Sequence, residues 1–248
     1  MRHPRWIVPL ILLTVLLFTA ACGGSSEPTP DPTPEPVAAP TQAPMAESAP
    51  AADAPGTEPV EGTPMYAVTS DSTATYIVQE EFLADALSKL GINAGKTEVF
   101  GVSQEVGGFI QLDLNNLDNA LGPNQFTVDL TVLQTDQSRR DNWIQENGPT
   151  FGRFPLASFE ATSIVGAPQS YTEGQEASFQ LVGNLTIREI TQPATFDVTA
   201  TLADRTIRGT ATADLLMSDF GIDPPSFANT LTVEDGFQIV VNLVAVGQ

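Results

Sequence analysis

From about residue 96 to the C-terminus, apolar and polar side chains alternate with a period of two. Phe126, Val128, Leu130 and Val132 alternate with Thr127, Asp129 and Thr131. Phe179, Leu181, Gly183, Leu185 and Ile187 share one phase, and Gln180, Asn184, Thr186 and Arg188 share the other. The runs Ala194, Phe196, Val198, Ala200, Leu202 and Ile207, Gly209, Ala211, Ala213, Leu215 are spaced by Thr, Asp and Arg. Phe237, Ile239, Val241, Leu243 and Ala245 form the apolar phase of a long last run. Successive side chains of a strand point to opposite faces, so each run predicts a strand with one dry and one wet face. Shorter segments at 76–78, 96–102, 108–114 and 158–165 extend the set to about eight or nine antiparallel strands.

Such strands can form a sandwich or a sheet closed on itself. Several runs reach about ten residues, well beyond the usual five or six, which favours closure. The fold class expected is all-β, an antiparallel closed β-barrel of about eight strands with one or two short helices. Gln79–Leu90 carries Leu83, Leu87 and Leu90 at helical spacing before Gly91. Gln137–Asn147 follows Asp136 as N-cap and stops at Gly148-Pro149. Gly183, Gly209, Ala200, Ala211 and Ala213 lie on the inner phase. They can leave a cavity open to a ligand, or merely accommodate Phe196 and Phe237 in a filled core.

The first 64 residues follow no such pattern. Arg2 and Arg5 precede an apolar run from Trp6 to Phe18, then Ala20, Ala21 and Cys22. That is a secretory signal layout, too short to span a bilayer permanently. Its end resembles a lipobox, with Thr19 where Leu is usual, and makes Cys22 the expected lipidation site. Residues 23–64 are rich in Pro, Ala, Thr and Glu and poor in large apolar residues. They cannot bury enough surface to offset ordering entropy and read as a disordered, extended linker. The expected organisation is therefore signal 1–22, linker 23–64 and barrel domain 65–248, held extracytoplasmically on the bacterial cell membrane by its lipid.

The chemistry open to this chain is narrow. Its single His is His3 and its single Cys is Cys22, so neither lies in the expected barrel domain. Histidine-dependent nucleophiles, His or Cys zinc sites and disulfides are excluded there. With 10 Lys+Arg against 30 Asp+Glu, a nucleic-acid partner is excluded as well. Gly91–Thr97 imitates a phosphate loop, but a strand pattern follows where a helix is required. Asp113–Asp118 lacks the glycine and distal Glu of a calcium loop and reads as a hairpin turn. No carboxylate pair sits in a recognisable apolar setting. No catalytic residue, metal or cofactor is expected.

Three segments in order carry a family resemblance. Arg140-Asp141 is followed by Phe154-Pro155-Leu156-Ala157-Ser158-Phe159. Gly183-Asn184-Leu185-Thr186-Ile187-Arg188-Glu189-Ile190-Thr191-Gln192-Pro193 reads as a hairpin, and Ser218-Asp219-Phe220-Gly221-Ile222 precedes the last strand. Together they resemble the YceI-like family of bacterial lipid-binding proteins. Glu189 stands where the family usually has Gly, and Met217 where a basic residue is common. The resemblance implies a lipocalin-like barrel holding a polyisoprenoid or quinone-like long-chain lipid, for carriage or storage.

The lipid would lie along Phe126, Val128, Leu130, Phe159, Phe179, Leu181, Leu185, Phe196, Val198, Ala211, Phe220, Phe237 and Ile239. At roughly 25 cal/mol per Å², burying a hydrocarbon chain there drives binding without polar contacts. Arg139, Arg140 and Arg153 are candidate headgroup cations, with Arg140-Asp141 equally readable as a structural ion pair. The competing reading is a filled, non-catalytic barrel that contacts another envelope protein. A homodimer is admitted under either reading.

Overall fold

The computed structural model describes residues 62–82, 95–115, 120–227 and 230–248. The expected signal, Cys22 and all but the last three residues of the linker lie outside the described residues.

The strands are β1 (Met65–Val68), β2 (Thr73–Phe82), β3 (Gly95–Ser103), β4 (Val106–Leu112), β5 (Leu121–Asp129) and β6 (Leu156–Val165). They continue as β7 (Glu176–Ile187), β8 (Ile190–Ala203), β9 (Thr206–Leu216), β10 (Ser226–Phe227) and β11 (Leu231–Gly247). Helix α1 (Ser138–Glu146) lies between β5 and β6. All pairings are antiparallel. β1 and β2 run end to end along β11, and β3 and β4 run end to end beside them. From there each wall pairs with the next in sequence through β9 to β11, which returns to β1. With β10 only flanking β11, the result is a closed eight-stranded, up-and-down barrel.

Two joints interrupt the first walls, and a fully buried serine mends each. Between β1 and β2, Ser72 Oγ donates to Val244 O (3.2 Å) and accepts from Val244 N (3.0 Å). Between β3 and β4, Ser103 Oγ donates to Asp129 O (2.7 Å) and accepts from Glu105 N (3.3 Å). Both hydroxyls supply hydrogen bonds that the broken ladder cannot, as buried backbone groups require.

The inner face carries the core. Leu181, Leu185, Phe196, Ala213 and Ala245 are all buried, while Thr195, Asp197 and Thr199 on the opposite phase point outward. Phe159 packs between Phe126 (centroids 6.5 Å) and Phe196 (4.8 Å, edge to face).

Several expectations need correction. Gln79–Phe82 is not the start of a helix but the end of β2, paired with Gly95–Glu98 of β3. The rest of that expected helix lies outside the described residues. α1 is present, yet Gln137 is its N-cap and makes no side-chain cap bond; Asp136 instead pairs with Arg140. β5 stops at Asp129, leaving Val132 in a turn and exposed. β1 and β10, of four and two residues, are too short to show a period. Thr63 O and Pro64 O, assigned above to the linker, accept hydrogen bonds from Gln111 Nε2 (3.0 Å) and Leu112 N (3.2 Å).

Candidate binding cavity

A cavity of about 700 Å³ runs along the barrel interior. At one end it is lined from α1 and the β9–β11 connection by Trp143, Ile144, Met217 and Phe227. Trp143 meets Phe227 edge to face at 5.7 Å. At the other end lie Leu114, Ala120, Ala167, Pro168 and Tyr171. There Tyr171 pins the β6–β7 loop to the end of β8, its hydroxyl donating to Leu202 O (2.6 Å) and accepting from Leu202 N (2.8 Å). An apolar lumen that reaches both ends of the barrel suits an elongated, hydrophobic molecule.

The period-two phase explains which side chains reach it. Phe126, Val128, Leu130, Phe159, Phe179, Leu181, Leu185, Phe196, Val198, Ala211, Phe237 and Ile239 all stand on the cavity wall. Phe220 does not: it is fully buried behind the wall, 6.3 Å edge to face from Phe237. It follows Ser218 in a 3-10 turn rather than a strand, so strand phase does not govern it. Gly183, expected to leave lumen space, does not line the cavity either. A Cβ there would fall 2.2 Å from Glu160 O and 2.7 Å from Phe159 Cζ, so the glycine permits close wall packing. Gly209, Ala200 and Ala211 do open onto the lumen.

The three candidate arginines separate. Arg153 is off the cavity, stacked at 5.5 Å over the Phe154 ring. Arg140 lines the cavity and has four of its five N–H groups engaged. Its Nε and Nη2 donate to the two carboxylate oxygens of Glu80, each at 3.0 Å. Its Nη1 donates to Thr135 Oγ1 (3.2 Å) and pairs with Asp136. Glu80 is 7% and Arg140 16% exposed in their side chains, so this is a largely buried, two-pronged ion pair. Burial alone would lower the guanidinium, but the hydrogen bonds to Glu80 and Asp136 outweigh it and hold it above its usual value. Asp141, paired with Arg140 in the sequence reading, instead accepts from Thr135 N (2.9 Å) and Thr135 Oγ1 (2.6 Å). Arg139 is exposed at the α1 end of the cavity and makes no ion pair among the described residues.

Sequence reasoning missed Tyr76 and Glu80. Both lie on the inner phase of β2 with Ala74, Val78 and Phe82, and both line the cavity. The signal was there, an acid in phase with apolar neighbours, but the helix assigned from Gln79 concealed it. Burial pushes the Tyr76 hydroxyl far above the ordinary tyrosine range; Arg140 opposes the shift, and Asp141 and Glu80 reinforce it.

A closed eight-stranded antiparallel barrel with an internal apolar cavity and one covering helix defines a lipocalin-like scaffold. The chain belongs to the YceI-like family, whose domain model matches residues 79–245. Two solved structures share the fold. BcnA from Burkholderia cenocepacia is 17% identical with a TM-score of 0.52, the match covering 72% of this chain and 99% of BcnA. A polyisoprenoid binding domain from Saccharophagus degradans is 8% identical with a TM-score of 0.51, covering 74% of this chain and 98% of that domain. Among curated proteins, none matches the sequence.

Proposed function

We propose that this protein binds a long-chain apolar lipid, of polyisoprenoid or quinone-like type, inside the barrel. It does so as an extracytoplasmic lipoprotein tethered through Cys22, for carriage or storage and without catalysis. The observation that carries this reading is the continuous apolar cavity, which reaches both ends of the barrel. Transfer of a hydrocarbon chain from water into such a space is favourable at roughly 25 cal/mol per Å². The charged groups on its wall, Glu80, Arg139 and Arg140, gather at one end, as expected for a ligand with one wet head and a long dry tail. The naming of the Saccharophagus degradans relative as a polyisoprenoid binding domain supports the ligand class. The outward phase is polar, the inverse of a barrel that faces lipid, so the hydrophobic partner belongs inside. Residues 1–22 supply the export signal and anchor, and 23–64 the spacer.

The test is native mass spectrometry of the full chain purified from a bacterial envelope, with organic extraction of bound lipid. A stoichiometric long-chain lipid is expected, and radiolabelled fatty acid should enter the wild type but not Cys22→Ala. A protein that is empty and also refuses added lipid would transfer the assignment to the envelope interaction module.

A further inference from the structure

The cavity wall carries one concentrated polar patch. Tyr76 stands there beside Glu80 and Arg140, on the inner face of β2. Its ring lies across Gly101 on the neighbouring strand, where a Cβ would sit 2.0 Å from Tyr76 Cε1 and 2.5 Å from Cζ. Glycine at 101 is what lets the ring lie flat over β3. The hydroxyl is within electrostatic range of Arg140, Asp141, Glu80 and Asp136. Among the described residues it makes no hydrogen bond, whereas the Tyr171 hydroxyl makes two to the backbone of Leu202. A phenol with its donor unused, facing an apolar lumen, is a recognition group awaiting a partner.

The surroundings decide which partner. Arg140 has four of its five N–H groups committed, to Glu80, Thr135 and Asp136, and the single Nη2 N–H that remains offers no two-pronged edge to an anion. Asp141 adds a third carboxylate to the same field. The charges that act on the hydroxyl are one engaged cation and three carboxylates; Arg139 lines the same end of the cavity but is not among them, so an anionic head placed at Tyr76 would be repelled. An uncharged oxygen acceptor fits both the free phenol and the field. Resting on the lipid-binding reading above, we propose that the Tyr76 hydroxyl donates a hydrogen bond to a neutral carbonyl on the head of the bound lipid, and that the Glu80–Arg140 pair beside it disfavours phosphorylated heads.

The experiment uses the full chain and three ligands that share an isoprenoid tail: squalene, a prenylated benzoquinone and a prenyl diphosphate. Their affinities are measured by calorimetry for wild type and Tyr76→Phe. Expected is a loss of about five- to tenfold for the quinone in Y76F, with squalene changed by less than about twofold. Wild type should prefer the quinone to the diphosphate by about tenfold or more. Equal quinone affinity in the two proteins, or tighter diphosphate than quinone binding, overturns the proposal. Wild type that binds neither squalene nor quinone sinks the lipid-binding reading itself, a distinct signature. A second measurement needs no variant: the infrared carbonyl stretch of the quinone bound to wild type. A shift to lower frequency than in an alkane supports the hydrogen bond, and an alkane-like frequency overturns it.

Discussion

Glu80 and Arg140 belong to distant parts of the chain and meet only because β2 and α1 flank the same end of the cavity. Their pairing occupies the Nε/Nη2 side of the guanidinium fork, and Thr135 and Asp136 take Nη1. Removing one partner from such a buried pair leaves the other desolvated and uncompensated, which costs about 3–5 kcal/mol. Glu80→Ala is therefore expected to lower the urea midpoint strongly. The double variant Glu80→Leu/Arg140→Met should recover most of the loss, because the charges leave together. A single variant as stable as wild type would show that the pair is solvent-screened instead. This contact was only half legible in the sequence. Arg140 drew notice, but its sequence neighbour Asp141 looked like the partner. A side chain at helix position i points away from i+1, and Asp141 turns to Thr135 while Arg140 reaches across to β2. Phe220 failed for a related reason: phase arguments hold within strands, and it sits in a 3-10 turn.

The tight connections between strands carry their own strain. The β7–β8 turn places Arg188 at φ 52° and Glu189 at φ 64°, a left-handed pair that favours Asn-Gly. Glu189 is exposed on this turn, and only its backbone conformation is at stake. Glu189→Gly should relieve about 1 kcal/mol of that strain and raise the melting temperature by about 2–4 °C. An unchanged or lowered transition would mean that chain entropy outweighs the relief. On the other side of the same end, Asp235 accepts from Ser218 N (2.9 Å) and Ser218 Oγ (2.7 Å), tying the 3-10 turn to β11. The Ser218 hydroxyl hydrogen bond, helped by the backbone N–H, holds this exposed carboxyl below its ordinary 3.8. The depressed value means that its contribution is present above 3.8 and fades as pH falls through the folded value. Comparing wild type with Asp235→Asn across this range should show a stability gap that closes in acid. A gap constant with pH would remove the carboxylate from the explanation. Elements were the most legible level of this molecule, since β7, β8 and β9 show their period over most of their length. The failures came where pairing overrides local pattern. Gln79–Phe82 pairs with β3, and Glu80–Phe82 with β11 as well, and that outweighs the helical spacing of the leucines that follow.

At the scale of the whole barrel, the question is whether the lumen is a ligand space or packing left unfinished. Both interpretations start from the same residues, and Ala211 separates them. It faces the cavity from the middle of β9, between Val198 of β8 and Val241 of β11. Ala211→Trp would place an indole where the ligand's tail runs, while Thr212→Trp, one residue on, turns the same group outward. A void inside a protein forfeits contacts along its lining, so filling it need not destabilise the fold. If lipid occupies the barrel, A211W should lose the stoichiometric lipid seen in native mass spectra and T212W should keep it. Trp143, which lines the α1 end, should also lose its fluorescence response to added lipid in A211W. If the wild-type barrel is instead empty, neither substitution changes what co-purifies, and A211W simply melts higher. The two outcomes diverge because a ligand that already fills the lumen supplies the contacts the indole would add. Its displacement then exchanges one set of apolar contacts for another, leaving the melting transition close to that of the loaded wild type.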